Sequence, residues 1–141
     1  MTFPRLPDDS DDVRRSRTVS HALALLAARC HEPELRLVAI ATELRMSRCH
    51  LSRLISAETG RTYRRHLTEY RIRLAITQLD NDRMSIKEVA AAVGYSSTAS
   101  FDHEFRRMCG CSPSAWRRRT WIELAGRRLE PAALVAGMAR G

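Results

Sequence analysis

A shift of fifty residues lays this chain on itself. Ser47 falls on Ser97, Leu51 on Phe101, Ile55 on Phe105, Gly60 on Gly110 and Thr62 on Ser112. Upstream, Ala41 corresponds to Ala90, with one extra residue in the second turn. One unit therefore occurs twice. Each copy reads as a short helix carrying a small alanine, a turn, and a longer helix that stops at a glycine. Four-residue spacing puts Leu51 with Ile55, and Phe101 with Phe105, on one helix face. The small alanine lets two helices cross closely, and the turn sends the second off at a steep angle. That is the helix-turn-helix unit.

The rest of the chain fits an all-α protein, since no β-branched run with period two occurs. Residues 1–17, with Pro4, Pro7 and the DDSDD run, read as a disordered polar arm. A first helix is expected over 19–31, with Leu23, Leu26 and Ala27 inward, ended by Pro33. A second covers 37–44. A third opens at Ser47, a good N-cap, and stops before Gly60. A long fourth spans 63–79, with Leu67, Tyr70, Leu74, Ala75 and Leu79 as its apolar stripe. Ser85 caps a fifth that ends at Gly94, a sixth starts at Ser97 or Thr98, and Pro113 opens a seventh. The expected organisation is two helix-turn-helix subdomains, 18–80 and 81–119, joined by the long central helix. A C-terminal helical extension follows over 120–141.

Charge says what such a chain would touch. The net charge is +8, with 24 Lys and Arg against 16 Asp and Glu, and Lys87 is the sole lysine. Arginine presents a planar fork that suits phosphates and guanine edges. Residues 1–46 balance. Residues 47–79 set seven Arg against Glu58 and Glu69, and residues 105–119 carry five Arg and no acid. Between them, 80–104 is net acidic. Two basic blocks around an acidic one point to a polyanion gripped at two places.

In each copy the apolar residues of the second helix face the core, so the exposed residues near its N-terminus point outward, as a major-groove reader needs. In the first copy these are Arg48, Cys49, Ser52 and Arg53, behind the cap Ser47. In the second they are Thr98, Ala99, Asp102, His103 and Arg106, behind Ser97. Two reader helices on one face, roughly 34 Å apart, would meet successive major grooves.

Residues 20–119 resemble the DNA-binding domain of the AraC/XylS family of bacterial transcription regulators. The matching stretches are IATELRMSRCHLSRLISAETGRTYRRHLTEYRIRLA and IKEVAAAVGYSSTASFDHEFRRMCGCSPSAWRR. The family signatures fall on Ala41, Ser47, Leu51, Gly60, Arg71, Ile72, Ala75, Ala90, Val93, Gly94, Tyr95, Phe101, Phe105, Gly110, Pro113, Trp116 and Arg117. The resemblance implies a sequence-specific regulator of transcription that binds double-stranded promoter DNA, with RNA polymerase as a further partner. It implies neither cofactor nor metal and no enzymatic activity; a cytoplasmic location is expected because the longest apolar run falls far short of the ~20 residues that span a membrane and the N-terminus has no apolar core for a signal peptide.

Departures from the family pattern shape the expectations. Ile55-Ser56 stands where Phe-Lys is common, and His66 takes a usually aromatic position. Asp102 and His103 replace residues that are commonly Ser or Thr and Arg. Asp102 and Glu104 would repel phosphates, so the first copy is expected to dominate base recognition through Arg48 and Arg53. Family members usually carry a separate effector or dimerisation domain, and seventeen arm residues cannot form one. The expectation is a bare DNA-binding domain regulated by its abundance, or a fragment of a longer ancestor.

Beyond the resemblance, Trp121, Leu124, Ala125 and Leu129 form a helical stripe, and Pro131 can start a further short helix. This extension packs on the second subdomain, supports a dimer or polymerase contact, or is disordered, so the expectation is a monomer or a dimer. Cys30, Cys49, Cys109 and Cys111 form no CxxC pair. A zinc site from Cys109, Cys111 and His103 lacks a fourth ligand. Cys30 is expected to pack as a small apolar residue, and Cys49 is a candidate redox site among Arg48 and Arg53. No paired acid stands near His50 in sequence and no glycine-rich phosphate loop exists, which argues against an enzyme. The alternatives are a non-specific nucleoid or RNA-binding basic protein, and a protein-interaction adaptor with a degenerate helix-turn-helix.

Overall fold

The computed structural model describes the backbone of residues 9–126 and the side chains of residues 10–120. The described chain is all-α. It runs α1 (Asp9–Arg29), α2 (Leu37–Glu43), α3 (Arg48–Thr59), α4 (Tyr63–Leu79), α5 (Ile86–Ala92), α6 (Thr98–Cys109) and α7 (Pro113–Gly126). Ser47 and Ser97 cap α3 and α6 by accepting from the backbone N–H groups of His50 and Ser100, each at 3.1 Å. Gly60 and Gly110 close the same two helices in left-handed conformation. Ser85 and Glu88 form a reciprocal capping box on α5.

The repeat extends into the backbone of the turns. After α2, Met46 N–H donates to Ala41 O at 2.9 Å; after α5, Tyr95 N–H donates to Ala90 O at 3.0 Å. Between them Arg45 (φ 57) holds the left-handed position that Gly94 (φ 100) holds in the second copy. Ala41 and Ala90 are both buried, as close helix crossing requires.

Two compact units result, with the division inside α4. The first comprises residues 1–29 and 35–67, the second residues 30–34 and 68–141. In the first, α1, α2 and α3 pack mutually and bury Val19, Ala22 and Leu26 with Leu37, Ile40, Leu51 and Ile55. Ala27, expected inward, is exposed; the stripe instead runs through Val19, Ala22 and Leu26. In the second unit the core joins Ile72, Ala75, Ile76 and Leu79 of α4 to Val89, Val93, Phe101, Phe105 and Trp116. This face of α4 displaces Tyr70 and Leu74, both half-buried, from the expected stripe. The rings of Tyr95, Phe101, Phe105 and Trp116 follow one another at 5.4, 5.7 and 5.9 Å, the last pair edge to face.

α1 starts at Asp9, ten residues before the expected Val19, so residues 9–17 are helix and not arm. Aspartates at a helix start are favoured by the positive end of its dipole. Arg15 pairs with Asp12 at 3.9 Å, and Ser16 donates to Glu58 of α3 at 3.2 Å. The polarity that suggested an arm is a solvated helix face. Residues 1–8, the 120–141 stripe beyond Thr120 and the helix expected from Pro131 lie outside the described side chains.

Two arginines tie helix ends. Arg71 donates from Nε to Cys30 O at 2.7 Å and from Nη2 to Glu32 O at 2.8 Å, just past α1. Arg117 donates to Leu79 O at 2.9 Å, at the end of α4, and to Asn81 O and Met84 O at 3.3 and 2.7 Å. Each neutralises carbonyls that a helix end leaves without partners. Among the described residues no helix is long and apolar enough to cross a membrane.

Candidate nucleic-acid interface

In the first unit, Leu51 and Ile55 are fully buried and fix the rotation of α3. Arg48, Cys49 and Arg53 are then exposed and Ser52 half-exposed, at the i, i+1, i+4, i+5 spacing of one outward face. Ser47 is committed to capping. No acid stands on this face: Glu58, the first in α3, accepts from Ser16. An arginine pair without a carboxylate beside it attracts a polyanion.

In the second unit, Phe101 and Phe105 play the same anchoring part. Thr98, Ala99, His103 and Arg106 are exposed and Asp102 half-exposed, while Ser97 caps. Each copy thus brings its expected residues onto one outward face. One expectation changes. Asp102 does not stand as an unpaired carboxylate: it accepts from Arg106 Nε at 2.7 Å, and Glu104 accepts from Arg107 at 2.7 Å. Spacings of four and three residues place these partners side by side on a helix. The face of α6 is therefore locally neutral, and Arg106 is held by Asp102 in place of standing free.

A further cluster escaped the sequence reading. The Tyr63 phenol, at the start of α4, accepts from Arg64 Nε at 3.4 Å. The Arg64 guanidinium first, and Arg48 after it, hold the phenol below its ordinary pKa. The TYRR run signalled basic residues at a helix start, but not that Arg48, fifteen residues earlier, acts on the same phenol.

His66 approaches Thr59 Oγ1 with Nε2 at 2.9 Å, in the position that Trp116 fills in the second copy. All four cysteines are free thiols. Cys30 is buried, as expected, and burial raises its pKa against the pull of Arg71. Cys49 is exposed. Burial, with Cys111 adding to it, pushes Cys109 up to about 12. Among the described residues no three His, Cys, Asp or Glu are grouped to hold a metal ion.

A family profile described as a helix-turn-helix domain matches residues 40–119. The MmsAB operon regulatory protein of Pseudomonas aeruginosa is 35% identical over 85 residues, covering 60% of this chain and 28% of that protein. The DNA-binding domain of AdpA, a global transcriptional factor solved with a target DNA, superposes with a TM-score of 0.70 at 25% identity, covering 78% of this chain and 98% of that one. A transcriptional regulator with an AraC-type DNA-binding domain from Chromobacterium violaceum gives 0.68 at 27% identity, covering 74% and 92%. The chain spans about three-tenths of the length of the curated relatives it matches.

Proposed function

The chain belongs to the AraC/XylS family of helix-turn-helix proteins, and from that premise we propose that it is a sequence-specific double-stranded DNA-binding regulator of transcription. Its reader helices are α3 and α6, entering successive major grooves. The observation that carries this is the outward face of α3. Buried Leu51 and Ile55 lock its rotation, and Arg53 is exposed one turn into the helix. A guanidinium so presented suits the O6 and N7 edge of guanine, a contact worth ~1–3 kcal/mol of discrimination. Ser52 and Cys49 flank it for smaller polar or apolar base contacts. In the second copy Thr98, Ala99, Asp102 and His103 supply the reading edge. Contact with RNA polymerase and action in the cytoplasm complete the proposal.

The test is selection of bound sequences from random duplexes, followed by affinity measurements at several salt concentrations. A regulator yields a defined motif and a specific-to-random ratio of about 10³ or more. Equal affinity for all duplexes would replace this reading with non-specific packaging of nucleic acid.

A further inference from the structure

Of the residues on the two reading edges, Asp102 alone carries a carboxylate. Buried Phe101 and Phe105 fix the rotation of α6, and Asp102 then lies between two unlike neighbours. Thr98 and Ala99, one turn earlier and exposed, bring methyl groups. Arg106, one turn later, donates from Nε to Asp102 Oδ2 at 2.7 Å. Among the described residues no donor reaches Oδ1, and the Asp102 side chain is 38% exposed. Glu104 lies off this edge, held by Arg107 at 2.7 Å. The Asp102–Arg106 pair cancels its own charge over distance, so a polyanion is not turned away. At contact distance the remaining oxygen still accepts and cannot donate. In the first copy the matching residue is Ser52, whose hydroxyl does both.

We propose that Asp102 sets one position of the second half-site to cytosine by rejecting the other three bases. This rests on the DNA-binding reading above and names a base that the reading leaves open. In the major groove guanine shows O6 and N7, and thymine shows O4, all of them acceptors. A carboxylate oxygen pressed against an acceptor loses its water and gains no hydrogen bond. Adenine offers its N6 amino group but carries the acceptor N7 beside it. Cytosine alone offers an amino donor, N4, with no acceptor next to it. Its neighbouring ring position, C5, is an apolar edge that suits the methyl groups of Thr98 and Ala99. Selection of this kind needs no strong favourable contact. Cytosine only restores to the carboxylate the hydrogen bond that water had given it, while each competitor leaves it unmatched. The two copies then differ in principle: α3 selects by what Arg53 attracts, and α6 by what Asp102 excludes.

The experiment uses the full chain and duplexes that carry each of the four base pairs at every position of the second half-site. At one position cytosine should bind about tenfold or more tightly than guanine or thymine on the same strand, with adenine between them. Asp102→Ala should level that position by raising guanine and thymine, with the cytosine duplex nearly unchanged. Asp102→Asn, whose amide both donates and accepts, should move the preference to adenine; a merely structural role would not re-aim a base. A third measurement leaves the protein unaltered. N4-methylcytosine pairs with guanine but carries a methyl in place of its outward amino hydrogen. It should weaken the natural chain and leave Asp102→Ala unaffected. The proposal is overturned if the cytosine preference survives Asp102→Ala or stays on cytosine in Asp102→Asn. It is also overturned if Asp102→Ala loses affinity for the cytosine duplex alone, which is attraction and not exclusion. A motif whose second half holds no such cytosine overturns this inference by itself; no motif at all overturns the regulator reading with it.

Discussion

Arg71 Nε donates to the Cys30 carbonyl at 2.7 Å, and Gly94 packs against both groups. A Cβ at position 94 would lie 2.8 Å from Cys30 O and 3.0 Å from Arg71 Nε. The backbone there has φ +100, which a side chain rarely adopts. Gly94→Ala should therefore cost about 3 kcal/mol, combining backbone strain with hydrogen bonds pushed apart. Arg53→Ala, on an exposed face, should stay within ~0.5 kcal/mol. Urea unfolding of the two variants checks the contrast; equal losses would erase the division between scaffold and reader.

Arg45 occupies the left-handed turn position that glycine fills in the second copy. A non-glycine residue there costs ~1–2 kcal/mol, part of which glycine returns as extra freedom in the unfolded chain. Arg45→Gly should thus stabilise the protein by up to ~1 kcal/mol. A lower melting temperature in Arg45→Gly would mean that the Arg45 side chain contributes more than its backbone loses.

Tyr95 should respond to pH and to loss of its hydroxyl. That hydroxyl is buried without a hydrogen-bond partner. Removing an unsatisfied group is neutral or favourable, so Tyr95→Phe should hold or raise the melting temperature. Burial pushes Tyr95 up to about 12 from 10.0, and Cys109 up to about 12 from 9.0. Both folded groups keep protons that the unfolded chain releases. Stability from this source is complete below pH 9 and falls as pH rises from 9 toward 12. Tyr95→Phe should flatten the part above pH 10, and melting curves between pH 7 and 11 measure it.

The two half-sites should be unequal. Arg53→Ala should relax base preference at one position of the first half-site by ~1–3 kcal/mol. Asp102→Ala should release Arg106, which now donates to it at 2.7 Å. Exposed pairs of this kind are worth ~0–1 kcal/mol, so the fold should be unaffected while affinity rises for most duplexes. A large affinity loss would instead make Asp102 a base contact, accepting from a cytosine amino group.

The parts of this molecule that repeat were readable from its sequence. Serine caps, glycine stops and paired apolar residues are local signals, and they located α3 and α6 within a residue. The start of α1 was not readable, because an acidic, arginine-rich segment has the composition of a solvated arm and of a solvated helix alike. In α4, Leu67, Ala75 and Leu79 are buried as expected, but Ile72 and Ile76 stand in for Tyr70 and Leu74 because they are selected by the core they enter, a tertiary fact. At the candidate interface, outward residues followed from inward ones. What did not follow were meetings between different elements: Ser16 with Glu58, or Arg71 with the Cys30 carbonyl. Asp102 and Arg106 are the exception, since four-residue spacing announces them.

The segment Cys30–Glu34 belongs to the second unit although it lies between α1 and α2 of the first. Proteins are made from their N-terminus, and domains tend to fold as they emerge. On the ribosome the carbonyls of Cys30 and Glu32 must wait for Arg71, and the space beside them is defined only when Gly94 has been added. The first copy can therefore leave the exit tunnel and assemble its three helices, but the chain end of α1 stays open to water until Arg71 and Gly94 have emerged. A gene cut between the copies would leave that end open permanently, and a second copy expressed alone would carry an arginine with no carbonyls to hold.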